Sequence, residues 1–128
     1  MEGYTVKIEG CSKELTAKER IRMKDFSAAI QLDDIIQPGD HFCLDIAYYA
    51  VMHVHNERAK GDNKDYKKCV IVDKTGQGYI TGSEAFMTAM SEVMDEMADY
   101  PDEKFQLDCY KVESKNYQGK HFLTCTVI

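Results

Sequence analysis

Basic side chains recur at alternate positions in one segment near the start of the chain, and they could bind an anionic partner. Between Leu15 and Phe26 they occur at every second residue: Lys18, Arg20, Arg22 and Lys24. Alternate residues of a strand share one face, so a strand here would present four cations in a row. Such a row can neutralise the phosphates of a nucleic-acid backbone. A solvated edge strand that is protected by charge is the alternative interpretation.

Aromatic side chains are the second such group. Tyr110 and Phe122 are predicted to point away from the core on two paired strands, beside a connection that contains Lys115, Tyr117 and Lys120. The bases of a single-stranded nucleic acid can stack on exposed aromatic rings that lie beside cations. A cross-strand pair covered by another element is the alternative for Tyr110 and Phe122.

Two residues on the polar face of an earlier strand, Tyr49 and His53, complete the predicted site. The candidate nucleic-acid-binding residues are therefore Arg20, Arg22, Lys24, Tyr49, His53, Tyr110, Lys115, Tyr117, Lys120 and Phe122.

Catalytic and metal-binding patterns are missing from the sequence. It contains no GxSxG, P-loop or HExxH motif, and its five cysteines include no CxxC pair. His53 and His55 alternate as metal ligands on a strand do, but no carboxylate or thiol is placed in sequence to complete a site. We predict a protein that is not an enzyme, with no catalytic residue, no metal and no cofactor.

A calcium loop is the main alternative at the centre of the chain. Counted from Asp73, the ligand positions of an EF-hand loop fall on Asp73, Thr75, Gln77, Tyr79, Thr81 and Glu84. Only the first and last of these are carboxylates, however, and the preceding residues from Cys69 to Val72 favour a strand where an EF-hand needs a helix.

Length and charge limit the remaining possibilities. The chain has 128 residues and a formal net charge of −6. We expect one domain over residues 1–128, with residues 1–14 either a short extra strand or flexible. Overall charge does not attract nucleic acid, so any binding must come from a local patch. No membrane segment or signal peptide is expected. Four cysteines in apolar strand patterns, at 43, 69, 109 and 125, are predicted to be reduced core residues, which indicates the cytoplasm.

The elements that would position the candidate residues are mostly strands. A helix is predicted from Ser83 to near Tyr100, because apolar residues recur there every three or four positions. His41–His55 is predicted as one long strand that bends between Asp45 and Tyr48. Residues 28–36 could form a short helix or a strand.

The last two predicted strands, 105–112 and 121–128, form a hairpin. In the expected register Cys109 lies near Leu123, and Tyr110 lies opposite Phe122. The fold class is therefore mainly β (α+β): an OB-like Greek-key barrel of five to six strands, with one helix between the third and fourth principal strands.

The chain also resembles small single-stranded-DNA-binding proteins encoded by phages and mobile elements of Gram-positive bacteria. The likeness lies in the strings VIVDKTGQGYITGSEAFMTAMSEVMDEM and CYKVESKNYQGKHFLTCTVI, and more weakly in KERIRMKDFSAAIQLDD and AVMHVHNE. It implies an OB-fold that coats single-stranded DNA during replication or recombination. By position it favours Lys115, Tyr117, Lys120 and the segment from Arg20 to Lys24.

The sequence leaves further binding partners open. These are a second copy of the chain, in a dimer, and proteins of DNA replication or recombination. The alternative function is an adaptor or inhibitor that binds host proteins through the methionines at 87, 90, 94 and 97, although such a stripe more often packs into a core.

Overall fold

The computed structural model describes residues 4–11, 13–57, 65–115 and 119–128. These residues are mainly β, as predicted, with eight strands in two sheets. In chain order the elements are β1 (Tyr4–Cys11), α1 (Ala17–Lys24), a 3₁₀ turn (Phe26–Ala28), β2 (Ile30–Gln31), α2 (Leu32–Ile35), β3 (His41–Leu44), β4 (Ile46–Asn56), β5 (Asp65–Asp73), β6 (Gly78–Thr81), α3 (Glu84–Met97), β7 (Leu107–Glu113) and β8 (His121–Val127).

The chain divides into two compact units, each built from two separate segments. The first unit comprises Met1–Ile30 and Ala47–Gly82, and the second comprises Gln31–Ile46 and Ser83–Ile128. Most strands of the first unit belong to a five-stranded sheet in the order β1-β4-β5-β6-β2, and the second unit contains a three-stranded sheet in the order β3-β7-β8. The described strands do not close into a barrel.

The segment that was predicted as a cationic strand is a helix, α1. Thr16 caps it: its hydroxyl accepts a hydrogen bond from the Glu19 backbone N–H, and the Glu19 carboxylate accepts one from the Thr16 N–H. This reciprocal capping box starts a helix irrespective of the alternation that follows it. The prediction of a strand was wrong because alternate cations also fit a solvated helix, on which only Met23 is buried.

One face of the first unit's sheet packs against α1 and the residues around it. The core cluster on this face contains Leu15, Met23, Ala50, Met52, Val70 and Ile80. Tyr48, Val72 and Ala29 pack against that cluster and stay partly exposed. Because side chains alternate along β4, Tyr49, Val51 and His53 lie on the opposite face of the sheet.

The predicted strand from His41 to His55 is interrupted at Asp45. Its first part is β3, which pairs with β7, and its second part is β4, which pairs with β1. The break falls within the predicted bend, but the two parts belong to different sheets. Alternate residues from Phe42 to Val54 were expected to share one face. Five of these seven are buried, and Phe42 and Tyr48 are half-buried.

The turn between β5 and β6 is a tight hairpin. Asp73 Oδ1 accepts hydrogen bonds from the backbone N–H groups of Thr75 and Gln77, and Gly76 adopts a φ of 93°. Asp73 thereby satisfies the turn's own backbone donors. A strand precedes this turn, so the segment lacks the helix–loop–helix frame of an EF-hand.

In the second unit, α3 covers one face of the three-stranded sheet. The predicted helix is confirmed: Ser83 is its N-cap, and Phe86, Met87 and Met90 are its buried residues. The Ser83 hydroxyl also donates a hydrogen bond to the carbonyl of Leu123 on β8, at 2.6 Å. Cys109 and Cys125 are buried in the same unit, and Cys69 in the first, whereas Cys43 is exposed, contrary to the prediction.

The predicted register of the last hairpin was wrong by two residues. Cys109 lies opposite Cys125, Tyr110 opposite Thr124, and Phe122 opposite Val112. A shift of two leaves every side chain on its expected face, because side chains alternate with a period of two. The apolar pattern therefore specified the faces without specifying the partner of each residue.

No helix among the described residues is long and apolar enough to span a membrane. Residues 28–36 form the end of the 3₁₀ turn, β2 and α2, which are too short to be distinguished by periodicity.

Removing the cap of α1 should destabilise the protein. We expect Thr16→Ala to lower the free energy of unfolding by about 1 kcal/mol, because the Glu19 backbone N–H loses the hydroxyl that accepts its hydrogen bond. Urea denaturation followed by circular dichroism measures the change. Thr88→Ala, at an exposed position inside α3, is the matched control and should leave stability unchanged or slightly raised, because alanine has the higher helix propensity. Equal losses in both variants would contradict the role of the cap.

Candidate nucleic-acid interface

Four exposed cations lie on α1. We call α1 with Lys18, Arg20, Arg22 and Lys24 the cationic helix. None of the four side chains forms an ion pair with another described residue. Helical spacing places Lys18 one turn from Arg22 and Arg20 one turn from Lys24, so the charges form two short rows on opposite flanks of the helix.

The only carboxylate within α1 does not neutralise these cations. Glu19 accepts a hydrogen bond from Lys13 Nζ at 2.8 Å, outside the helix. That bond, followed by the one from the Thr16 backbone, lowers the pKa of Glu19 to about 2. Arg22 and Lys24 lie in the last turn, where the helix dipole favours cations. Lys18 and Arg20 lie before that turn, so the helix dipole explains the positions of only two of the four cations.

Tyr48 on β4 belongs to the same side of the sheet and was not among the predicted site residues. Lys13 Nζ lies 4.4 Å from the centroid of its ring. Burial raises the pKa of Tyr48, and the neighbouring Glu19 carboxylate raises it further. Lys13, Glu19 and Tyr48 therefore form one cluster that ties the start of α1 to β4.

A cleft of about 510 Å³ opens between α1 and the β5–β6 turn. Met23 and Val70, each 3% exposed, lie at its floor, and Tyr48 lines a side. The exposed charged residues around it are Arg22, Asp25 and Lys74. The cleft thus joins the cationic helix to an apolar, partly aromatic interior within the first unit.

Tyr49 and His53 are not brought together with the cations of α1, because they lie on the opposite face of the sheet. His53 is placed between carboxylates: its Nε2 lies 2.8 Å from Asp65 and its Nδ1 lies 3.3 Å from Glu9. His55 lies nearby, 2.8 Å from Asp65 and 2.6 Å from Glu57. An acidic surrounding of this kind repels phosphate, so we do not include His53 in the interface.

The second unit presents an aromatic face on the side of its sheet away from α3. We use this name for His41, Tyr110, Val112 and Phe122. The His41 and Tyr110 rings are 5.3 Å apart at an interplanar angle of 33°, and Phe122 is 40% exposed. Tyr110 and Phe122 thus share the non-core side, as predicted. His41 was not among the predicted site residues. Its Nδ1 lies 3.0 Å from both carboxylate oxygens of Asp108.

Lys115 and Lys120 lie at the tip of the same hairpin. The Ser114 N–H donates to the Lys120 carbonyl at 2.8 Å, which closes the ends of the connection. Both lysines are exposed, at the two ends of this connection. The third predicted residue of this loop, Tyr117, lies outside the described residues.

Two features of the interface were not predicted from the sequence. They are the helical form of the cationic segment and the position of Tyr48 beside it. The string TAKE at residues 16–19 has the capping-box spacing and would have indicated a helix start. Tyr48 carried no signal, because its position in the alternating pattern is that of a core residue.

Comparison of the chain with protein-family models, with curated proteins and with solved structures found no match.

The imidazole–carboxylate network of His55 predicts a pH-dependent stability. Hydrogen bonds to Glu57 and then Asp65 raise the pKa of His55 above its ordinary 6.5. The stabilisation is therefore complete below the unfolded-state pKa and is lost as the pH rises through the folded-state value. Glu9 and Lys67 belong to the same surface, 3.4 Å apart, and Asp65 stays ionised because His53 and His55 lower its pKa.

We expect His55→Gln to destabilise the protein more at pH 5.5 than at pH 8.5 in urea unfolding. His121→Gln is the control, since His121 is exposed and forms no ion pair with a described residue. A His55→Gln effect that is constant across this pH range would contradict the network.

Proposed function

We propose that this protein binds single-stranded DNA without sequence preference and is not an enzyme. The observation that carries the proposal is the cationic helix: four exposed cations without ion pairs in a protein whose net charge is −6. The protein's own carboxylates outnumber its cations, yet none of those described pairs with these four.

The cost of this arrangement supports an external anionic partner. Like charges one turn apart destabilise a helix by about 0.2–0.5 kcal/mol per pair, so Lys18–Arg22 and Arg20–Lys24 together cost up to about 1 kcal/mol. The helix dipole favours Arg22 and Lys24, but no described carboxylate forms an ion pair with any of the four cations. A phosphate backbone would offset that cost, because each cation that contacts a phosphate releases a condensed counterion.

The aromatic face of the second unit supports the preference for a single strand. Unpaired bases expose their faces, and stacking on an aromatic side chain contributes roughly 1–3 kcal/mol per base. A duplex hides those faces, so exposed rings such as Phe122 discriminate between the two forms. Lys115 and Lys120 at the hairpin tip supply cations beside this face.

The proposal also covers the fold and the family of the protein. The strings that resemble phage and mobile-element single-strand binders fall on β5, β6, α3, β7 and β8. Under the proposal, the chain is an OB-like Greek-key module that coats DNA during replication or recombination. The position of α3 before the β7–β8 hairpin supports such a module.

An adaptor function through the methionine stripe receives less support. Met87 is 8% exposed and Met90 is fully buried, so half of the stripe packs within the second unit. These two side chains are not available to a partner protein.

Neutralising the cationic helix should weaken DNA binding. For the variant with Arg20→Gln, Arg22→Gln and Lys24→Gln, we expect a large loss of affinity for oligo-dT, with a slope of log K against log salt that is shallower by about 2. The expected change follows from about 0.7 per phosphate contact on a single strand. Fluorescence anisotropy over a range of salt concentrations measures both quantities.

A triple variant with the same change of charge is the control: Lys7→Gln, Lys67→Gln and Lys104→Gln, at exposed positions outside α1. It should keep most of the affinity and the original slope. Equal losses in the two variants would mean that net charge alone, and not the cationic helix, determines binding.

Removing one ring from the aromatic face should also weaken binding. We expect Phe122→Ala to lower the affinity for oligo-dT by roughly 1–3 kcal/mol, at least about fivefold in Kd, through loss of stacking. Val112→Ala is the matched control, since Val112 lies opposite Phe122 on the same face, is 37% exposed and cannot stack. Unchanged affinity in Phe122→Ala, with folding intact, would remove the aromatic face from the interface.

A further inference from the structure

We infer that the cleft between α1 and the β5–β6 turn binds one nucleotide, with the base inside and the phosphate at the edge. This inference rests on the proposed single-strand binding and deepens it, because it assigns a base-binding pocket that the sequence did not indicate. The cleft volume of about 510 Å³ lies within the range of small-ligand sites, roughly 300–1,000 Å³, and accommodates a single nucleotide.

The interior of the cleft fits a nucleobase. Its floor is apolar, with Met23 and Val70 buried and Val72 partly exposed beside them. Tyr48 lines one side, and its ring is held in place by Lys13 at 4.4 Å from the centroid. A flat, weakly polar base buries its faces against such a surface, whereas a sugar or a bare ion gains little there.

The edge of the cleft fits the phosphate of the same nucleotide. Arg22 is exposed and forms no ion pair with a described residue, and Lys74 lines the cleft as a second cation. A guanidinium can bind phosphate through two parallel hydrogen bonds. Because Arg22 also belongs to the cationic helix, a strand that follows that helix passes the opening of the cleft.

The carboxylates in the lining make a bare anion a poor ligand. Asp25 and Asp73 balance the two cations, so the lining has no net charge. Asp73 is engaged by the N–H groups of Thr75 and Gln77, and one oxygen of Asp25 accepts from Ser27. A nucleotide matches this arrangement, because its phosphate meets the cations and the N–H groups of its base can donate to carboxylate oxygen.

Small residues keep the cleft open. Ala28, Ala29, Ala47 and Gly78 line it, and a Cβ at Gly78 would meet Ala29 only at 3.9 Å, an ordinary contact distance. Gly78 pairs with Val72, which is on the face of the sheet that lines the cleft, and its φ is not in the left-handed region. A large side chain at position 78 therefore fills the cleft without entering the core.

The test fills the cleft and compares three probes: oligo-dT, thymidine monophosphate and inorganic phosphate. We expect Gly78→Trp to weaken oligo-dT binding at least tenfold. The control is Thr5→Trp, at an exposed position on the opposite face of the same sheet, which should bind as the wild type does. In ¹H–¹⁵N NMR spectra, thymidine monophosphate should shift the amides of Tyr48, Val72 and Gln77 in the wild type but not in Gly78→Trp.

The outcomes separate this inference from the proposed function. If oligo-dT binds Gly78→Trp and the wild type equally and the three amides do not move, the cleft inference is wrong and single-strand binding stands. If inorganic phosphate alone reproduces the shifts, the cleft does not bind a base and the inference is wrong. If oligo-dT fails to bind the wild type but the mononucleotide shifts the amides, the proposed function is wrong and the cleft takes free nucleotides.

Discussion

The capping box of Thr16 and Glu19 is the interaction on which the candidate interface depends. It fixes where α1 begins, and Glu19 also binds Lys13, which lies over the ring of Tyr48. With only Met23 buried, α1 has little apolar area to hold it on the sheet. Its polar contacts at the N-terminus therefore set the position of the four cations and of one side of the cleft.

The first unit's sheet separates charge between its two faces. The face beside α1 carries the cationic helix, and the opposite face carries His53 and His55 among Glu9, Glu57 and Asp65. Alternation along β4 produces this separation, since Tyr48 and Tyr49 point to opposite sides. An acidic protein can in this way offer a basic surface to a polyanion while its carboxylates gather elsewhere.

The sequence predicted correctly those elements for which capping residues, apolar periodicity and terminating residues indicate the same structure. The helix α3 has an N-cap at Ser83, a 3.6-residue apolar period and a proline beyond its end, and it was placed correctly. The faces of β7 and β8 were also correct. Their register was not, because a shift of two residues conserves the apolar pattern and only the connection around Lys115–Lys120 decides it.

For the site, the sequence identified the cations but not their geometry. KERIRMK fits a period of two as well as a helix, so alternation alone could not decide, and the cap did. Tyr48 and the cleft arise only when α1 packs across β4 and β5, a contact between residues far apart in sequence. His53 illustrates the converse: the residue was visible in the pattern, but its carboxylate partner Asp65 was not.

Equilibrium binding of the wild-type protein to a labelled oligo-dT and to duplex DNA of the same length, at several salt concentrations, tests the central claim most directly. The account predicts that the single strand binds more tightly than the duplex and that its affinity falls linearly with the logarithm of salt concentration. No binding at low salt, or equal affinity for the two forms, would contradict it.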